Sequence, residues 1–314
     1  MPGEGNSTQQ TRADSAGEPR TDVGIQSGAF LLELSLDWLV LRASENVHHL
    51  LGESHVTLIG EPLGRFVHSR ALHDLRNMFS RLSGTTGIAR AFNVRLTDDP
   101  DLVDISFQLS AGRVILEAAP SVNESFGTAF GTVGGLIAGL AGTSGQALLD
   151  AGARRMRALT GYDRVTLLVG KSKATSDRSG VPFRAGANAT LSDDFPALVA
   201  DSSAASVPVF PRKTEDAAAA AALLRAPTAG EKAELVERGF VSTMRIPIVR
   251  EGQTVGEFRL AHTTPCRPNL EVHAAAELFA QLFAMQLEID VTEAELAHLR
   301  VGAAISARAQ HLLE

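Results

Sequence analysis

The chain has 314 residues, 44% apolar and 21% charged, with a formal net charge of −7. That is ordinary globular composition with room for two domains, and the acidic balance argues against nucleic acid or an anionic membrane as main partner, since both select basic surfaces. One cysteine, Cys266, excludes an intrachain disulfide and fits a reducing cytoplasm. With one Trp and one Tyr beside its 14 Phe, the chain has few broad aromatic faces to grip a large flat ligand.

Residues 1–22 are polar and rich in Gly, Ser and Thr, which predicts a flexible tail, and no basic-then-apolar leader opens it. A first α+β domain is expected over 23–120. Phe30, Leu32, Leu34 and Leu36 alternate as a half-buried strand; "SENVHHLLG" reads as a short helix ended by Gly52; Leu72, Leu75, Phe79 and Leu82 share one helical face. Phe92, Val94 and Leu96 form the next alternating run. Val103, Ile105, Phe107 and Leu109 form another, turning at "SAGR" into Val114 and Leu116.

A Gly- and Ala-rich linker follows at 121–143. Its run "AFGTVGGLIAGLAG" falls short of the roughly 20 residues a membrane span needs, so it reads as a linker helix or loop. A second α+β domain is expected over 144–290. It holds a helix from Gly145, the strand "VTLLVG", and a hairpin turning at Glu251-Gly252 with Met244, Ile246 and Ile248 on one face. Its last helix is "LEVHAAAELFAQLFAMQLE". Leu282, Met285, Ile289, Thr292, Leu296, Leu299 and Ala303 then keep an imperfect heptad, so a signalling helix over 291–314 is expected to carry a dimer seam.

The second-domain stretches "LTGYDRV", "LLRAPT", "STMRIPIV", "EGQTVGEFRLAHTTP" and "AAAELFAQLFAMQLE" resemble the GAF domain of bacteriophytochromes. "GIQSGAFLLEL" and "LRASENVHHLLG" resemble the PAS domain that precedes it. The resemblance implies a PAS domain followed by a GAF domain, each a central antiparallel sheet flanked by helices, with a possible figure-of-eight knot and a long C-terminal helix. It also implies a GAF pocket for biliverdin, attached to a cysteine of the N-terminal tail, and a light-driven isomerisation relayed to an output domain such as a histidine kinase.

At the ligand the match breaks. Where the attachment cysteine stands in the family, three residues before Glu-Pro, this chain has Ser15; a serine hydroxyl will not add to a bilin vinyl group, and the tail holds no cysteine. Cys266, after the hairpin, reads as a surface thiol. Asp194 and Pro196 of "LSDDFP" fit the family's pocket motif, with Phe195 in place of Ile; a plain helix N-cap is the other reading of Asp194. Arg225 matches the arginine associated with that aspartate. The histidine that stacks beneath the pyrrole rings becomes Glu231, the following pocket tyrosine becomes Glu234, and a strand tyrosine becomes Leu168. Of a His-His pair only His262 remains, which also reads as an ordinary hydrogen-bonded strand-end histidine.

Two buried carboxylates would cost several kcal/mol each in order of magnitude unless paired, so "EKAELVER", 231–238, is expected to be a surface helix with charge pairs at three- and four-residue spacing. The sequence thus predicts a module without covalent bilin, working through protein contacts with a second copy, a true phytochrome or a kinase. The alternative is non-covalent binding of biliverdin or another apolar ligand through Asp194, Arg225 and His262. No HExxH, Walker loop, dinucleotide fingerprint, catalytic Cys-His pair or zinc-ligand spacing points to an enzyme.

Overall fold

The computed structural model describes residues 24–82, 87–122, 127–182, 195–213 and 220–311. In chain order the first domain runs β1 (Ile25–Gln26), β2 (Phe30–Leu34), β3 (Val40–Ser44), α1 (His48–Leu51), α2 (His55–Leu58), α3 (Ser69–Ser80), β4 (Ile88–Val94), β5 (Val103–Ser110) and β6 (Arg113–Pro120). After α4 (Thr128–Ala138) come α5 (Gly145–Thr160), β7 (Arg164–Val169), β8 (Ser172–Asp177), β9 (Leu198–Val199), β10 (Ser206–Val207), β11 (Val209–Phe210), α6 (Ala229–Arg238), β12 (Ser242–Arg250), β13 (Gln253–His262) and α7 (Leu270–His311). This is a PAS-type sheet followed by a GAF-type sheet, both antiparallel, with flanking helices and a 42-residue final helix.

The turns follow from local chemistry. Ala111-Gly112 and Glu251-Gly252 each put two consecutive residues at positive φ, matching the twist of the two-residue hairpins they close, and Gly52 ends α1 in the left-handed region. Met244, Ile246 and Ile248 are buried together on one face of β12, with Phe258 and Leu260 of β13 and Phe279 and Phe283 of α7.

Three expectations need correcting. Strand β2 is buried on both faces rather than one: Phe30, Leu32 and Leu34 enter the first domain's core, while Leu31 packs into the second domain's core with Ile115 and Ala119 of β6. Leu36 lies beyond the strand and is 60% exposed. In β4 the pairing with β5 shifts between Ala91 and Val94, where Asn93 has positive φ, so Phe92 meets Phe130 of α4 while Val94 stays on the first core.

The two domains exchange short strands. β1 pairs with β10, while β11, two residues further on, joins the edge of the first sheet beside β3; the sheets read β11-β3-β2-β6-β5-β4 and β8-β7-β13-β12-β9. The Gln26 side chain donates to the Leu198 and Arg225 carbonyls and accepts from the Ala200 N–H, filling the hydrogen-bonding capacity of that buried segment. A knot would further require residues 1–23 to pass through this clasp, and these lie outside the described residues.

Helix contacts set the sign of one pair of substitutions. A Cβ added at Gly152 of α5 would sit 2.5 Å from the Phe283 ring, whereas one at Gly131 of α4 meets nothing within 4 Å. Helix propensity alone favours Gly→Ala by about 1 kcal/mol. Gly131→Ala should therefore raise the thermal midpoint, and Gly152→Ala should lower it through overpacking worth about 1–3 kcal/mol; paired calorimetric melts check the opposite signs.

Candidate functional site

The candidate site is the face of the second sheet away from α5 and α7. Alternation sends Thr243 and Arg245 of β12, Glu257, Arg259 and Ala261 of β13, and Arg164, Thr166 and Leu168 of β7 to that face, since their neighbours Met244, Ile246, Phe258, Leu260, Val165 and Leu167 fill the opposite core. It is a charged surface. Arg245 lies 3.0 Å from Glu257, which also pairs with Arg259, and all three side chains are largely covered. Arg164 donates to Asp177 and lies 5.0 Å over the Phe240 ring. The buried apolar cluster here, among the described residues, is Phe195, Val199 and Leu235.

Helix α6 covers one end of this face. Thr228 caps it: its hydroxyl accepts from the Glu231 N–H while the Glu231 carboxylate accepts from the Thr228 N–H, and Gly239 closes the helix in the left-handed region. The same carboxylate takes two parallel hydrogen bonds from Arg225, at 2.7 and 2.9 Å, with the side chains 3% and 10% exposed. Burial alone would raise the Glu231 carboxyl, but the hydrogen bonds from Arg225 and Thr228 and the guanidinium charge outweigh it and hold it below the usual range. The expected surface helix is therefore corrected at this position: Glu231 is buried because its cation stands six residues earlier, across the proline break, where helix spacing rules do not look. Glu234 behaves as expected, pairing with Arg238 at 2.5 Å.

The other candidate positions are scattered. Ser15 and Asp194 lie outside the described residues. Leu168 is half-buried on β7, opposite Glu257 and Lys173. His262, at the end of β13, has Nδ1 2.8 Å from the Asp163 carboxylate, close but not aligned for a hydrogen bond, and its ring lies 5.9 Å from Tyr162. Asp163 itself accepts from the Thr263 N–H and hydroxyl; these bonds, with the charge of His262 and the bond from Arg178, overcome the effect of burial and lower its carboxyl. Cys266 is half-buried rather than a free surface thiol, its N–H donates to the Ala200 carbonyl, and burial pushes the thiol up, so little thiolate forms near neutral pH. Arg225 thus meets Glu231, while His262 belongs to a separate cluster around Asp163. Among the described residues no group of three or more His, Cys, Asp or Glu is placed to hold a metal ion.

Sequence reasoning missed Glu117 and the Arg245–Glu257–Arg259 cluster. The signal for Glu117 was present: β6 is apolar on both sides of it, which marks a strand covered on both faces.

Comparison with known proteins agrees with this architecture. The PAS fold family model matches residues 24–121 and the GAF domain family model matches residues 144–291. The chromophore-binding domain of a Stigmatella aurantiaca phytochrome superposes with a TM-score of 0.70 at 22% identity, covering 86% of this chain and 98% of that one. The corresponding domain of an unusual bacteriophytochrome from R. palustris gives 0.71 at 22% identity, over 88% and 98%. The S. aurantiaca photosensory core module gives 0.72 at 21% identity, over 87% of this chain and 60% of that one. No match of comparable strength was found among curated proteins.

The Arg225–Glu231 pair makes stability depend on acid. A carboxyl lowered by folding contributes stability that is present above its ordinary value, near 4.5, and is lost as pH falls through its folded value. Glu231→Gln should be less stable than the parent at neutral pH, and the gap should narrow progressively below pH ~4.5. Urea midpoints of the two proteins across pH check this.

Proposed function

We propose that this PAS–GAF module, which has the fold of bacteriophytochrome chromophore-binding domains, has lost covalent bilin attachment and signals through protein contacts. The observation that carries this reading is the bidentate Arg225–Glu231 pair. The guanidinium expected to serve the pigment site instead holds a carboxylate of the chain itself, in the position where the family's stacking histidine is expected. The face formed by Arg245, Glu257 and Arg259 supports it further, because both arginines are already paired with Glu257, and a tetrapyrrole placed there would have to compete with those ion pairs for its own polar contacts. The absence of any cysteine from residues 1–23 removes the attachment chemistry.

The output element is α7. Met285, Ile289, Leu296 and Leu299 are each 46–70% exposed along the part of the helix that leaves the domain. A second copy, or a phytochrome or kinase with a matching stripe, would cover them. Among the described residues no helix is long and apolar enough to cross a membrane. The acidic charge and lone thiol fit a cytoplasmic protein that acts by contact rather than by catalysis, without nucleic acid as partner.

A second reading rests on one observation. Thr243, 4% exposed and on the same face, has a buried hydroxyl with no hydrogen-bond partner, a group that a non-covalently bound bilin or other ligand would satisfy.

Two measurements separate these readings. Biliverdin added to the purified protein should leave its visible spectrum unchanged under our proposal, while a red-shifted band that responds to red light contradicts it and supports the second reading. In sedimentation, a parent dimer should become monomeric when Leu296 and Leu299 are both replaced by Glu; a mass unchanged by the substitutions removes α7 as the seam.

A further inference from the structure

Glu117 lies on β6, 1% exposed, on the face of the first sheet that meets the second domain. Its two carboxylate oxygens accept the backbone N–H groups of Leu224, at 2.6 Å, and Leu223, at 2.9 Å, more than a hundred residues away. The same short segment is held at Ala221, whose carbonyl accepts from the Gln108 side chain on β5, and at Arg225, whose carbonyl accepts from Gln26. Residues 221–226 lead directly into the Thr228 cap and α6. The first domain therefore holds one wall of the second domain's candidate site, and Glu117 supplies the titratable part of that hold.

The charged groups nearby show why Glu117 is unusual. Glu33, on the neighbouring strand and the same face, is paired with Arg42 and Lys213. Arg225 is committed to Glu231. Asp104, further along β5, accepts from Ser121 and the Asn93 N–H. Glu271 on α7 accepts from the Gly127 and Ala129 N–H groups. Glu117 has no arginine or lysine hydrogen-bonded to it among the described residues. Arg90 acts on it only through space, while its guanidinium lies 2.7 Å from Glu277 and within 3.3 Å of His273, both on α7. Ser106 stands between them, paired with Arg90 on one side and Glu117 on the other.

We propose that Glu117 is a proton-sensitive latch: protonated, it keeps residues 221–226 docked on the first sheet, and loss of its proton loosens that docking.

The physical basis is an unpaired charge. Two backbone N–H groups, the more distant Arg90 charge and the Ser106 hydroxyl stabilise the carboxylate, but together they do not replace the water it loses, so ionisation favours any state that lets water reach it. Burial pushes the Glu117 carboxyl up to about 7, against an ordinary value of 4.5 that an opened junction would restore. Proton linkage then makes opening easier as pH rises from 4.5 to about 7, by close to tenfold per unit, and level beyond it. His273 does not compete in this range: burial lowers it to about 4, and it stays neutral. The latch is independent of whether a pigment binds.

Hydrogen exchange of residues 221–226 in the full chain, read by mass spectrometry from pH 5 to 8.5 and corrected for intrinsic exchange, tests this. The parent's opening constant should climb by roughly two orders of magnitude up to about pH 7 and then level off. Glu117→Gln cannot ionise and should show no such climb, even though its amide NH2 leaves one of the two N–H groups without an acceptor and raises opening equally at every pH, while Asp104→Asn should keep the climb. A flat parent profile overturns the proposal, and this arm needs no variant. A climb that survives Glu117→Gln, or that disappears in Asp104→Asn, overturns it as well.

Discussion

A guanidinium and a carboxylate removed from water together hold each other in place or destabilise whatever surrounds them. In this chain Arg225 and Glu231 succeed because every strong group is used: two parallel hydrogen bonds join them, and the carboxylate also closes the cap of α6. The pair fixes the proline-broken stretch before α6, the start of that helix, and hence the covering of the sheet face beneath. A pigment that required Arg225 would have to displace a partner already bonded bidentately.

The second constraint is the exchange of strands between domains. With β1 inside the second domain and β11 on the edge of the first sheet, neither unit can move far alone. Burying both faces of β2 and β6 is part of the same arrangement, since Leu31 and Ile115 then belong to the neighbouring core. Polar contacts continue this linkage: Glu117 and Gln108 hold residues 221–224, and Arg90 reaches Glu277 on α7. A module built this way couples its parts through rigid contact, and α7 is connected to both sheets.

Much of this was legible in the residues. The hairpin could be placed because Glu251-Gly252 flanked by alternating Met244, Ile246 and Ile248 admits one face and one turn. The long helix was visible from spacing, although its unbroken passage out of the domain rests on the structure. What stayed hidden depended on distant partners. Two-residue strands such as β1 and β11 carry no periodicity. The β4 bulge shifted Phe92 without any Gly or Pro to announce it. Glu231 read as a surface charge because its cation lay outside helical reach, and Glu117 was not singled out because the groups it bonds are backbone N–H groups of a remote loop rather than side chains.

The most direct test of the account is the coupling energy between Arg225 and Glu231. Four proteins are needed: parent, Arg225→Met, Glu231→Gln and the double variant, unfolded in urea at neutral pH. Breaking a buried pair from one side costs about 3–5 kcal/mol, so the account predicts that each single change is severe and that the double variant is far more stable than their sum implies, by about 2 kcal/mol or more. Single losses that simply add, within about 0.5 kcal/mol, would show that the two side chains do not hold one another, and the replacement of a pigment contact by an internal ion pair would be wrong.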